Sequence, residues 1–234
     1  MTVDGGEVDG ELVGAIRTGD LGTVRRLLAE RPGLAGERVG PGGRTPLHVV
    51  TDWPGYFPNG PAVVRLLLAA GADPDARGAG GSEETPLHWA ASSDDVDVAE
   101  ALVDGGADIE AGGGSIGTPL ANAVGYGCWH VARMLVARGA RVETLWQAAA
   151  LGLSRRVEEL MAAVPAPDPV LVTEAFWQAC HGGQLRMAAY LLEHGADVDA
   201  RPGYSASSAV EVAGGPDTRR GVLVSWLREH GAPG

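Results

Sequence analysis

The 234-residue sequence predicts an all-α solenoid of about seven helix-turn-helix units with short hairpin links. Three observations lead there. An opening string recurs at Thr45-Pro46-Leu47-His48, Thr85-Pro86-Leu87-His88 and Thr118-Pro119-Leu120-Ala121. A stop string recurs downstream of it, at Gly71-Ala72-Asp73, Gly106-Ala107-Asp108, Gly139-Ala140-Arg141, Gly195-Ala196-Asp197 and Gly231-Ala232. Between the two, apolar residues fall at helical spacing, as in Val63, Val64, Leu67 and Leu68.

Each string has a mechanical meaning. Threonine supplies an N-cap oxygen to orphan backbone N–H groups, and proline at the first helical position loses no hydrogen bond. Glycine tolerates the left-handed backbone that ends a helix. The unit is therefore a cap, a short helix, a turn, a longer helix, a glycine stop and a turn-rich link.

The opening string, a pair of small residues (Ala90-Ala91, Ala148-Ala149) and the Gly-Ala-Asp stop together resemble the ankyrin repeat family. Aligned on that frame, units open at Gly10, Thr45, Thr85, Thr118, Glu143, Glu174 and Ser207, with spacings of 35, 40, 33, 25, 31 and 33. The family period is about 33. The resemblance covers 10–232 as one domain, preceded by a short tail at 1–9, and stacked units of this kind hold only their neighbours. It implies that short helices and hairpin tips line a concave surface, that partners are recognised just after the small pair, and that His48 and His88 hydrogen-bond between repeats. The terminal unit is atypical, with Arg219, Arg220 and Arg228 able to snorkel over its outer face.

Charge and cysteine usage narrow the function. The net charge is -12, and all 18 basic residues are arginine. That balance disfavours nucleic acid and anionic membranes as partners. Apolar runs stay far below the roughly 20 residues of a membrane span, and 1–9 has no secretion-signal pattern, so the expected location is cytoplasmic. Cys128 and Cys180 read as reduced core residues, and no metal spacing or cofactor motif is present. The glycines at Gly78 to Gly81 and Gly112 to Gly114 read as hairpin tips, without a phosphate-loop context.

Departures from the period mark the candidate site. In unit two, residues 51–60 join the helices where a few residues would serve, and carry Trp53, Tyr56 and Phe57. A loop runs over the surface, so these rings either form a self-packed lid, with Trp89 as a partner, or wall a pocket. Asp94 and Asp95 read as N-terminal charges on the following helix, whereas Asp52 has no such explanation. Between units four and five the link is too short for a hairpin, and Pro165-Ala166-Pro167-Asp168-Pro169 is too proline-rich for one. At these units the histidine position of the string reads as Trp146 and Trp177, large rings that either fill the volume of missing hairpins or floor a wider groove. His194 and His230 suit helix C-termini.

The expected function is recognition of a protein or peptide through the concave groove, with a basic segment favoured by the net charge. The partner-binding candidates are Asp52, Trp53, Tyr56, Phe57, Trp89, Ser92, Ser93, Asn122, Tyr126 and the partly exposed His181. No catalytic residue, metal or cofactor is assigned. Two other classes fit the same residues. A small apolar ligand or an unusual enzyme would use a pocket under 52–59, with Asp52 as base and His181 as proton carrier. A passive scaffold would use none of them.

Overall fold

The computed structural model describes residues 5–39, 44–78, 83–214 and 218–232. Most of the glycine tip at Gly78 to Gly81 lies outside them, as does the side chain of Arg219. Among the described residues, seven helix pairs follow one another: α1 (Gly5–Thr18) and α2 (Leu21–Glu30), α3 (Pro46–Val50) and α4 (Gly60–Ala69), α5 (Pro86–Ser92) and α6 (Val96–Asp104), α7 (Pro119–Gly125) and α8 (Trp129–Ala137), α9 (Leu145–Ala150) and α10 (Ser154–Met161), α11 (Pro169–His181) and α12 (Leu185–Glu193), α13 (Ala209–Ala213) and α14 (Thr218–Glu229). A 3-10 turn, Pro32–Ala35, follows α2. No described residue lies in a strand; the hairpin links reduce to turns and one isolated bridge between Val39 and Arg44. No described helix is long and apolar enough to cross a membrane.

Packing divides the chain into two compact units, 1–140 with the first four repeats and 141–234 with the last three. The division falls in the shortened link after the Gly139 stop. In the first unit Leu47, Leu87, Leu120 and the alanines Ala90 and Ala91 are fully buried. Each leucine withdrawn from water contributes about 2 kcal/mol, and the small alanines let neighbouring short helices approach. In the second unit the core gathers around Phe176, Leu191, Leu223 and Leu227, with Trp146 packed against it.

The opening strings act as caps with a second task. The Thr85 N–H donates to His88 Nδ1 at 3.1 Å, while His88 Nε2 bonds the Gly117 carbonyl at 3.0 Å, just ahead of the next cap. His48 repeats the pattern, with Thr45 Oγ1 at 2.7 Å and the Glu84 carbonyl at 3.1 Å. Each imidazole thus closes its own cap and holds the start of the next repeat. Burial lowers the pKa of both rings, keeping them in the neutral form that this donor and acceptor pattern requires.

The later repeats divide those two tasks between other residues. Helix α9 is capped by Thr144 rather than at Glu143, and the Thr144 N–H donates to Gln147 Oε1 at 3.3 Å. Gln147, not Trp146, thus fills the histidine's place in the cap. In repeat six, Trp177 Nε1 donates to the Ser207 carbonyl at 2.9 Å, the link that histidine makes earlier. Helix α11 opens at Pro169, ahead of Glu174, because Asp168 in the proline-rich link caps it through the Val170 N–H at 2.8 Å. Ser208 caps α13 in a box with Glu211. Arg220 reaches back to the His181 carbonyl at 3.0 Å, and His194 and His230 stack on Tyr190 and Trp226 at helix ends.

Candidate functional site

The long loop of repeat two is held at both ends and in the middle. Thr51 Oγ1 donates back to the Leu47 carbonyl at 3.1 Å, closing α3. Asn59 takes a left-handed φ of 56° and its amide donates to the Gly19 carbonyl of repeat one at 2.9 Å. At the centre, the Tyr56 N–H donates to Asp95 Oδ2 at 2.6 Å and its hydroxyl reaches the Asp94 carbonyl. Asp95 also caps α6 through the Val98 N–H, as a residue ahead of that helix should. Asp94 faces the other way. With φ at 55°, its carboxylate accepts the N–H groups of His130 and Val131 and so caps α8 of the next repeat.

This anchoring leaves the rings on the outside. Trp53 is 80% exposed and Tyr56 66%, so neither is the buried half of a lid. Phe57 is half-buried. Trp89 is instead met edge-on by His48 at 5.0 Å and overlain by the Arg44 guanidinium at 6.0 Å. Asp52 is bound by Arg44 at 2.5 Å and Arg17 at 3.2 Å, which fixes the loop's first turn against repeat one.

An open cleft of about 290 Å³ results, lined by Thr51, Asp52, Trp53, Glu84, Trp89, Ser92, Ser93, Ser115 and Tyr126. Six sequence candidates meet here: Asp52, Trp53, Trp89, Ser92, Ser93 and Tyr126. Tyr126 is 54% exposed, and its hydroxyl pairs with Ser115 Oγ at 3.1 Å. Tyr56 and Phe57 belong to the supporting loop and not to the lining. Asn122, expected on a polar rim, is fully buried. Its amide donates to Glu84 Oε1 at 3.0 Å and Ser92 Oγ at 3.4 Å, and its Oδ1 accepts the Ile116 N–H at 3.1 Å. A buried amide needs such partners, and they draw it inward beneath the cleft. His181 lies in the second compact unit, half-buried beside Trp177 at 5.5 Å; burial, then the Arg220 charge, lowers its pKa.

Thr51, Glu84 and Ser115 are the cleft residues that sequence reasoning missed. Glu84 directly precedes the Thr85 cap, where an acid reads as solvent-facing. The cue was its place in the same repeat as Trp89. Burial alone would raise the Glu84 pKa. The Ser115 N–H at 2.9 Å and the Asn122 amide, both donating to Oε1, outweigh burial and hold it below the ordinary carboxylate value. The cleft therefore carries a fixed negative charge among rings and hydroxyls.

Asp52, in the first compact unit, is engaged by two arginines, and His181 belongs to the second unit. Among the described residues no group of three or more His, Cys, Asp or Glu is placed to hold a metal. Both cysteines are buried, and burial pushes the Cys128 thiol up to about 11.

Comparison with known proteins points in one direction. A family model for three tandem ankyrin repeats matches residues 56–144, and a single ankyrin repeat matches 175–202. Protein fem-1 homolog A from Bos taurus is 39% identical over 98 residues, covering 38% of this chain and 14% of that protein. The Rattus norvegicus protein of the same name is 38% identical over 98 residues, with the same coverage. The chain thus corresponds to a small part of these relatives. The crystal structure of the ankyrin repeat domain of Bcl-3, described as a unique member of the IkappaB protein family, superposes with a TM-score of 0.56 at 26% identity. That match covers 93% of this chain and 97% of the other.

Proposed function

The chain belongs to the ankyrin repeat family, and from that premise we propose that it is a protein- or peptide-binding module whose recognition centre is the cleft of the first compact unit. Solenoids of this class use their stacked repeats as extended binding surfaces. The observation that carries the assignment is that two well-exposed rings, Trp53 and Tyr126, line one cleft together with hydroxyls and the carboxylates of Asp52 and Glu84. Exposed aromatics rimmed by polar groups are what an interface uses as anchors. The remaining lining sets register, and the reaction class is none: the module captures and does not transform.

A double variant, Trp53→Ala with Tyr126→Ala, tests this reading. Both side chains are exposed, so thermal unfolding should move little, while the set of proteins crosslinked to the wild-type chain in native extract should lose its specific members. An unchanged set from a folded variant would remove the cleft as the recognition centre.

A further inference from the structure

The chain has two asparagines, Asn59 and Asn122, and Asn59 alone is followed by glycine. The fold calls for both residues of that pair. Asn59 sits at φ 56° and ψ 19°, a left-handed backbone that asparagine accepts more readily than most residues, and its amide donates to the Gly19 carbonyl at 2.9 Å. Gly60 is buried at the start of α4, where a Cβ would come within 2.7 Å of the Val98 side chain. Packing and turn geometry therefore select an Asn-Gly bond, in which no side chain shields the glycine nitrogen from the asparagine amide.

We propose that Asn59-Gly60 is a site of spontaneous deamidation, kept closed by the fold and opened when the loop of repeat two lifts from repeat one. The Gly60 nitrogen gives up its proton and bonds to Asn59 Cγ, and the side-chain nitrogen leaves as ammonia. Water then opens the cyclic imide at either carbonyl, leaving aspartate or isoaspartate. Closing that five-membered ring needs a rotation about the Asn59 Cα–C bond, away from the ψ of 19° at which α4 begins. The folded chain resists this. The Gly60 N–H donates to the Phe57 carbonyl at 3.0 Å, Gly19 holds the Asn59 side chain, and the loop packs so closely that a Cβ at Gly19 would strike the Pro58 carbonyl. In the product an acid faces the Gly19 carbonyl, acceptor against acceptor, and the loop loses its tie to repeat one. Trp53 belongs to this loop and lines the cleft, so conversion loosens one wall of the recognition centre. That consequence rests on the binding-module reading above; the reaction itself does not.

Peptide masses followed over time at mildly alkaline pH, with the full chain either native or unfolded in guanidinium chloride, test the proposal. Cleavage after Arg44 and Arg65 separates Asn59 from Asn122. The unfolded chain should convert at Asn59 well ahead of Asn122. The native chain should convert at Asn59 at least about tenfold more slowly, because reaction waits for local opening. Gly19→Ala, whose methyl wedges Pro58 off repeat one, should raise the native rate at least about threefold while a thermal melt reports a folded chain. Equal rates in native and unfolded chains, an Asn59 no faster than Asn122 when unfolded, or a folded Gly19→Ala reacting at the wild-type rate overturns the proposal. Should Gly19→Ala not fold, the wild-type comparison decides alone. Conversion that leaves the crosslinked partners unchanged keeps the deamidation site and overturns only its consequence for the cleft.

Discussion

Asp95 and Tyr56 meet through a single bond, the Tyr56 N–H donating to Asp95 Oδ2 at 2.6 Å, and that bond ties the loop of repeat two to repeat three. Asp95 is only 2% exposed, and its other oxygen caps α6. One buried carboxylate thus serves a helix and an adjoining loop at once.

Asp95→Ala should therefore cost more than a lost cap. The cap is worth about 1 kcal/mol, and a half-buried N–H left without its acceptor adds about 1–3 kcal/mol. Denaturant unfolding should show the combined loss, and amide exchange at 53–57 should accelerate. Asp95→Asn, which keeps an acceptor oxygen, should lose about half as much.

Asn122 and Glu84 make a second pair whose charge matters. Asn122→Asp sets a carboxylate against Glu84 Oε1, where the amide now donates at 3.0 Å. The variant should be less stable at pH 7 by about 2–4 kcal/mol, since like charges are being forced together in a buried place. Part of the loss should return at pH 5, when the pair can share a proton. A melting curve at each pH checks this, and identical losses at both would refute the electrostatic account.

His48 and His88 give the first compact unit a pH dependence with a definite sign. Burial, the leading cause, depresses both folded-state pKa values below the usual 6.5. The unfolded chain therefore binds more protons in the interval between the two values. Their contribution to stability is complete above about pH 6.5 and is lost as the pH falls toward the folded-state values, by at most about 1.4 kcal/mol per pH unit for each ring. Replacing both by Gln, the residue that closes the equivalent cap at Gln147, should flatten that slope between pH 7 and 5 in denaturant titrations.

Trp177→Phe should remove the Nε1 bond to the Ser207 carbonyl while keeping much of the packing. A destabilisation of about 1–2 kcal/mol is expected, combining a lost hydrogen bond with a small loss of volume. Urea unfolding of the full chain measures it. A change near zero would show that the indole N–H is not what joins repeats six and seven.

Local chemistry determined the repeat itself. Thr-Pro caps, Gly stops and 3.6-residue apolar spacing act within a few residues of chain, so seven helix pairs could be read from the sequence, as could six of the residues that line the cleft. The frame slipped at the start, where α1 already runs from Gly5 through the expected tail and ahead of Gly10, and where the cap is made by other residues. Thr144 with Gln147 and Asp168 with Pro169 cap helices without the Thr-Pro pair that marks the earlier openings.

Direction and partnership across repeats were decided by tertiary structure alone. Nothing local distinguishes Asp94, which turns away to cap α8, from Asp95, which stays to cap α6. Nor does spacing reveal that Asn122 faces inward beneath Glu84 while Tyr126, at the end of the same short helix, stands in solvent. Helical periodicity tells which residues are apolar enough to be buried. Which polar group meets which depends on side chains some 30 to 40 positions apart, brought together only when one repeat is laid on the next.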